Sequence, residues 1–122
     1  MRLTSDFVVS VLIRRVEQAG AYATVARRGD ATAGAIFVLV DGLLGEVALY
    51  GPAPFTLDDK PLPDEAAITG NRLFVRMPLE PDQTRAAAEA VIEREERFDS
   101  DLWLVDIEDR AMRAFVPVVD PT

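Results

Sequence analysis

"AIFVLVDGLLGEVALYGP", residues 35–52, decides the fold. Ile36 to Val40 is an unbroken β-branched and aromatic run. Asp41-Gly42 and Gly45 supply turn chemistry, and Val47 to Tyr50 returns as a second apolar run. Two such runs around a glycine-containing turn predict a β-hairpin. Both alternating faces of 36–40 are apolar, so the sheet built on this hairpin is covered on at least one side.

Outward from the hairpin, "SDFVVSVLIRRVEQA" (5–19) predicts a helix. Thr4 or Ser5 caps its start, and Gly20 suits its end. Val9, Leu12, Ile13 and Val16 recur at helical spacing and form its core stripe. "AYATVAR" (21–27) predicts a strand, "RGDATAG" (28–34) a turn, and "RLFVRMP" (72–78) another strand ended by Pro78. "EPDQTRAAAEAVIEREERF" (80–98) predicts a second helix, with Pro81 at its first position and Thr84, Ala87, Ala88, Val91 and Ile92 along one side. "DLWLVDIED" (101–109) predicts a last strand. Residues 53–71, with Pro54, Pro61 and Pro63, are expected as a long loop. Residues 117–122 are expected as a flexible tail, after a further pairing run at Ala114–Val116. The result is one α+β domain over 1–122, in the order helix, strands, helix, strand. Its sheet of about five strands is mainly antiparallel, with two helices packed on it.

Composition narrows the chemistry. The 122 residues suit one domain, and 49% are apolar, which excludes global disorder. No apolar run approaches the ~20 residues of a membrane span. "FVVSVLI" (7–13) is followed rather than preceded by Arg14 and Arg15, unlike a secretory signal, so a cytoplasmic protein is expected. With no histidine and no cysteine, Ser-His-Asp and Cys-His catalysis, His/Cys zinc sites and thiol redox chemistry are excluded. No cofactor is implied. A net charge of −8 repels phosphate backbones, so nucleic acid is not an expected partner; a membrane is not either.

Two candidate surfaces remain. The first is acidic. In "EERFDSDLWLVDIEDR" (95–110), strand alternation puts Asp106 and Glu108 on one face, roughly 6–7 Å apart. With Asp99, Asp101 and Asp109 nearby, they form a candidate divalent-cation site, or the Mg²⁺ site of a hydrolase. The lysine that Asp/Glu-x-Lys nucleases place beside their carboxylates is absent; the chain's single lysine is Lys60. The competing assignment makes Trp103, Val105 and Ile107 core and leaves the acids in water. The second surface is a sheet face carrying Phe37, Leu39, Tyr50, Phe74 and Arg76, an aromatic and arginine composition typical of contacts; the competing assignment packs one helix on each face of the sheet and buries these residues. Phe37, Tyr50, Phe74 and Arg76 are the candidate partner-binding residues, for a homodimer or a protein partner. A non-catalytic interaction module is the leading expectation and a carboxylate-based cation binder or hydrolase the alternative.

Two stretches, "RRGDATAGAIFV" (27–38) and "ERFDSDLWLVDIEDR" (96–110), resemble signature segments of the domain-of-unknown-function 1491 family of short bacterial proteins. The resemblance extends from the first helix to the strand holding Trp103. It implies a compact cytoplasmic bacterial protein and assigns no role to any residue.

Overall fold

The computed structural model describes residues 3–54 and 64–120. The chain runs α1 (Ser5–Gln18), β1 (Tyr22–Arg27), β2 (Ile36–Asp41), β3 (Val47–Pro52), a 3-10 helix (Asp64–Thr69), β4 (Phe74–Met77), α2 (Arg85–Phe98) and β5 (Trp103–Glu108). The two helices and five strands expected are present, within a few residues at each end, whereas the further pairing run expected at Ala114–Val116 is not: the bridge to β4 falls at Val118, after Pro117. α2 differs most. It starts at Arg85 rather than near Pro81, because the Thr84 side chain accepts from Ala87 N and closes the first turn there. Within the stretch expected as a loop, 64–69 form the 3-10 helix, while 55–63 lie outside the described residues.

The five strands form one sheet in the order β1-β5-β2-β3-β4. Neighbours are antiparallel except β2 and β5, which are parallel. The parallel pair arises because β5 re-enters the sheet after α2 and inserts between β1 and β2. Its central position explains its apolar sequence. Trp103, Val105 and Ile107 are buried on one face, and Leu102 and Leu104 on the other.

One helix covers each face. α1 buries Val8, Val9, Leu12 and Val16 against Val38, Val40, Trp103, Val105 and Ile107. α2 buries Ala87, Ala88, Val91 and Ile92 against Phe37, Leu39, Leu49 and Leu104. The alanines of α2 let its backbone lie close to the sheet. At about 25 cal/mol per Å² of apolar surface, each fully buried aliphatic side chain contributes roughly 1.5–3 kcal/mol.

The two sheet edges are treated differently. β4 is covered by the chain end: Phe74 N donates to Pro117 O (2.9 Å), and Val119 N to Phe74 O (2.8 Å). The segment expected as a flexible tail is therefore hydrogen-bonded to the sheet through Val119, and Val116 enters the α1-side core. β1 carries a bulge between Val25 and Arg27 at the other edge. A bulge discourages further strand addition.

Candidate functional site

Register settles the expected aromatic face. The turn at 42–46 pairs Val38 with Tyr50 and Leu39 with Leu49, and β4 then pairs Arg76 with Tyr50. Partners directly opposite share a face, so Tyr50, Phe74 and Arg76 lie together and Phe37 lies on the other side. None of the three aromatics is available as a surface. Phe37 (5% exposed) is packed under α2, and Tyr50 (9%) and Phe74 (2%) under α1 and the chain end. Arg76 alone is exposed, and its guanidinium donates to Gln83 Oε1 at 3.2 Å. The sheet-face contact surface is corrected to core because both faces carry a helix.

The acidic residues divide between the two ends of β5. Asp99 and Asp101 precede the strand, while Asp106, Glu108 and Asp109 lie toward its carboxyl end. Five residues of strand, about 16 Å, separate Asp101 from Asp106. Asp99 Oδ1 accepts from Asp101 N (2.9 Å) in the turn that joins α2 to β5. At the far end, β2 aligns Asp41 opposite Glu108. Arg85, in the first turn of α2, reaches over this end. Its guanidinium holds Asp106 in a two-pronged contact (2.9 and 3.2 Å) and Asp41 at 2.9 Å. The Leu43 backbone N–H and then Arg85 lower the pKa of Asp41, and the two carboxylates raise that of Arg85. Asp109 is buried and takes the Arg113 guanidinium through both oxygens (2.8 and 3.0 Å). That guanidinium, against the cost of burial and with help from the Arg113 N–H, brings Asp109 down to about 2.

Arginines, not one another, therefore take up Asp41, Asp106 and Asp109. Among the described residues no three acidic side chains converge as ligands of one ion. Glu108 is exposed at the margin of the Arg85 cluster. The two-pronged arginine contacts fix the orientation of the Asp106 and Asp109 carboxylates, and the one on Asp109 also favours its ionised form, which suits structure rather than proton transfer.

The opposite end of the sheet joins the two stretches quoted for the family resemblance. Asp30 N donates to Asp101 O (2.9 Å), and Trp103 N to Ala35 O (2.7 Å). The Trp103 indole N–H donates to Asp30 O (2.7 Å), and the Arg28 guanidinium lies 5.1 Å from the Trp103 ring centroid. Arg27 donates to Ser100 O (2.8 Å). Gly29 and Gly34 bracket the loop because a Cβ on either would collide with Asp101 O. The N-terminus of α1 docks on the same loop: Ser5 N donates to Thr32 O, Asp6 N to Ala31 O, and Ser5 Oγ to Gly34 O. This junction is a backbone lock. Its carbonyls already hold the first two N–H groups of α1, those of Ser5 and Asp6.

A further surface feature was missed by the sequence reading. The outer side of α1 and the 3-10 helix enclose an open groove of about 400 Å³, floored by Phe7, Val11 and Ile68 and rimmed by Arg14, Arg15 and Gln18. Phe7 is 53% exposed. Its signal was present in the sequence: Phe7, Val11, Arg14 and Gln18 are spaced as one helical ridge, on the side away from the core stripe.

Comparison with known proteins agrees with the quoted stretches. The family model described as "Protein of unknown function (DUF1491)" matches residues 3–117. A crystal structure of a DUF1491 family protein from Caulobacter crescentus CB15 is 37% identical, with a TM-score of 0.75 over 98% of this chain and 99% of that one. A solution structure of a protein from A. tumefaciens is 43% identical, with a TM-score of 0.75 over 98% and 97% of the two chains. An NMR structure of a DUF1491 family protein from C. crescentus CB15 gives 38% and 0.74 over 98% of each. No curated protein matches. Family model, fold and sequence together show that the chain belongs to the DUF1491 family.

Proposed function

We propose that this protein is a non-catalytic interaction module whose contact surface is the outer side of α1. The observation that carries this reading is the groove over Phe7, Val11 and Ile68. It is an apolar concavity with a cationic rim, on a protein whose net charge is −8. Apolar surface gathered in a concavity and ringed by polar groups is the composition of a binding site, whereas scattered exposed apolar residues are ordinary. Catalysis has less support. Asp106 and Asp109 of the acidic cluster, with Asp41 beside them, are engaged by Arg85 and Arg113, and the chain offers no histidine or cysteine as acid, base or nucleophile.

The test uses 1-anilinonaphthalene-8-sulfonate, an apolar ring system with one anionic group. The groove reading expects saturable fluorescence enhancement by the native protein, and its loss in Phe7→Asp at unchanged melting temperature. Equal enhancement by the native protein and a folded Phe7→Asp variant would remove the groove as the contact surface.

A further inference from the structure

The groove is one of two exposed apolar features that complement each other. The other is the tip of the β2–β3 hairpin. There Leu44 is 92% exposed and Leu43 is 48% exposed at a φ of +69°. A left-handed conformation costs an L-residue roughly 1–2 kcal/mol, and placing leucine in it at a wet tip has no value for the core. The tip is nonetheless held firmly. Leu43 N donates to Asp41 Oδ1 (2.8 Å), Gly42 N donates to Glu46 O (3.0 Å), and the other oxygen of Asp41 is held by Arg85. A pre-shaped apolar knob loses little freedom on docking.

We propose that the groove on α1 receives the Leu43–Leu44 hairpin tip of a second copy of this chain, each copy inserting into the other about a two-fold axis. The proposal rests on the reading of α1 as a contact surface and names its occupant. Three observations carry it. A groove of about 400 Å³ floored by Phe7, Val11 and Ile68 has room for two isobutyl groups. The charges are complementary: Glu46 flanks the knob and Arg14 rims the groove, and among the described residues neither has an ion-pair partner. Knob and groove are also linked through one turn, Arg110–Phe115. Met112 lies against Gly42 at the knob, and Phe115 O accepts from Arg15 Nη1 at the groove rim (2.9 Å). Knob and groove thus both border the segment 110–115, and a self-complementary interface requires that both lie within one contact patch.

Sedimentation equilibrium from micromolar to millimolar protein tests this. The expected result is a closed monomer–dimer equilibrium, weakened roughly tenfold or more by Leu44→Asp, as for a central apolar anchor. Melting should be unchanged, since Leu44 is solvent-exposed. Arg14→Glu and Glu46→Arg should each weaken the dimer, and the two together should restore it. A wild-type monomer throughout the range overturns the proposal, as does an open-ended assembly or a dimer indifferent to Leu44→Asp. The parent reading fails separately. If Phe7→Asp disperses the dimer and Leu44→Asp does not, the groove stands and its occupant is wrong. If Leu44→Asp disperses it and Phe7→Asp does not, the groove itself is not the contact, and both readings fall.

Discussion

The two ends of the central strand β5 are built on different principles. Where β5 begins, loop 28–34 is locked to the α2–β5 turn by main-chain hydrogen bonds, two space-limited glycines and the indole of Trp103. Where β5 ends, Asp41, Asp106 and Asp109 are held by the guanidinium groups of Arg85 and Arg113. The first end depends on backbone approach, which a single methyl group blocks. The second depends on half-exposed side chains, which water and salt replace in part. Acidic density was therefore a poor guide to importance: the richest acidic end is expected to be the more tolerant one.

That contrast is open to direct attack. The largest effect is expected from Trp103→Ala, which empties a core position and leaves Asp30 O without its indole donor. A loss of about 3–5 kcal/mol in urea unfolding is expected, and a loss near zero would erase the distinction between the ends. Gly34→Ala comes next, at about 1–3 kcal/mol, because the new methyl group meets backbone that cannot step aside. The same urea series measures it, and a neutral result would show that the lock has slack.

At the other end, Arg85→Met leaves Asp41 and Asp106 as neighbouring unpaired carboxylates. Arg85 is more than a third exposed, so screening holds the expected loss to about 1 kcal/mol. That loss should shrink further in molar salt, unlike the Gly34→Ala loss. The smallest effect is the pH dependence of Asp109. Its folded pKa is depressed to about 2, so its contribution is present above the ordinary carboxylate range. It is lost as pH falls from about 4 toward 2, and after discounting for the exposed Arg113 it amounts to about 1 kcal/mol or less. Acid titration of Asp109→Asn against wild type should show a flatter stability profile in that window. Identical profiles would mean that the Arg113 contact does not favour the ionised form.

The legibility of the fold follows from the range of the forces involved. Residues 35–52 announce a hairpin because alternation and turn chemistry act between near neighbours. The same holds for α1: of its expected stripe, Val9, Leu12 and Val16 are buried and Ile13 is half-buried at the margin of the core. α2 was placed correctly in its body and too early at its start: Pro81 suits a first helical position, but the Thr84 side chain, expected along the helix's apolar side, accepts from Ala87 N and opens the helix at Arg85. The candidate surfaces fared worse. Phe37 and Tyr50 were grouped on one face, a grouping that needs the register across the hairpin. The five-residue turn reverses it. Asp106 looked free because its partner Arg85 is 21 residues away in sequence and belongs to another element.

By itself, the sequence determined the element types, the single α+β class, the exclusion of His- and Cys-based chemistry, and membership suggested by two short stretches. Each of these rests on composition or on contacts within a few residues. The tertiary structure alone decided that β5 lies parallel beside β2 at the centre, that a helix closes each face, and that arginines neutralise the acidic end. It alone brought Ile68 beside the Phe7–Val11 ridge of α1 to make an apolar groove. Those facts depend on which distant segments meet, and meeting is governed by the burial of whole faces rather than by local preference.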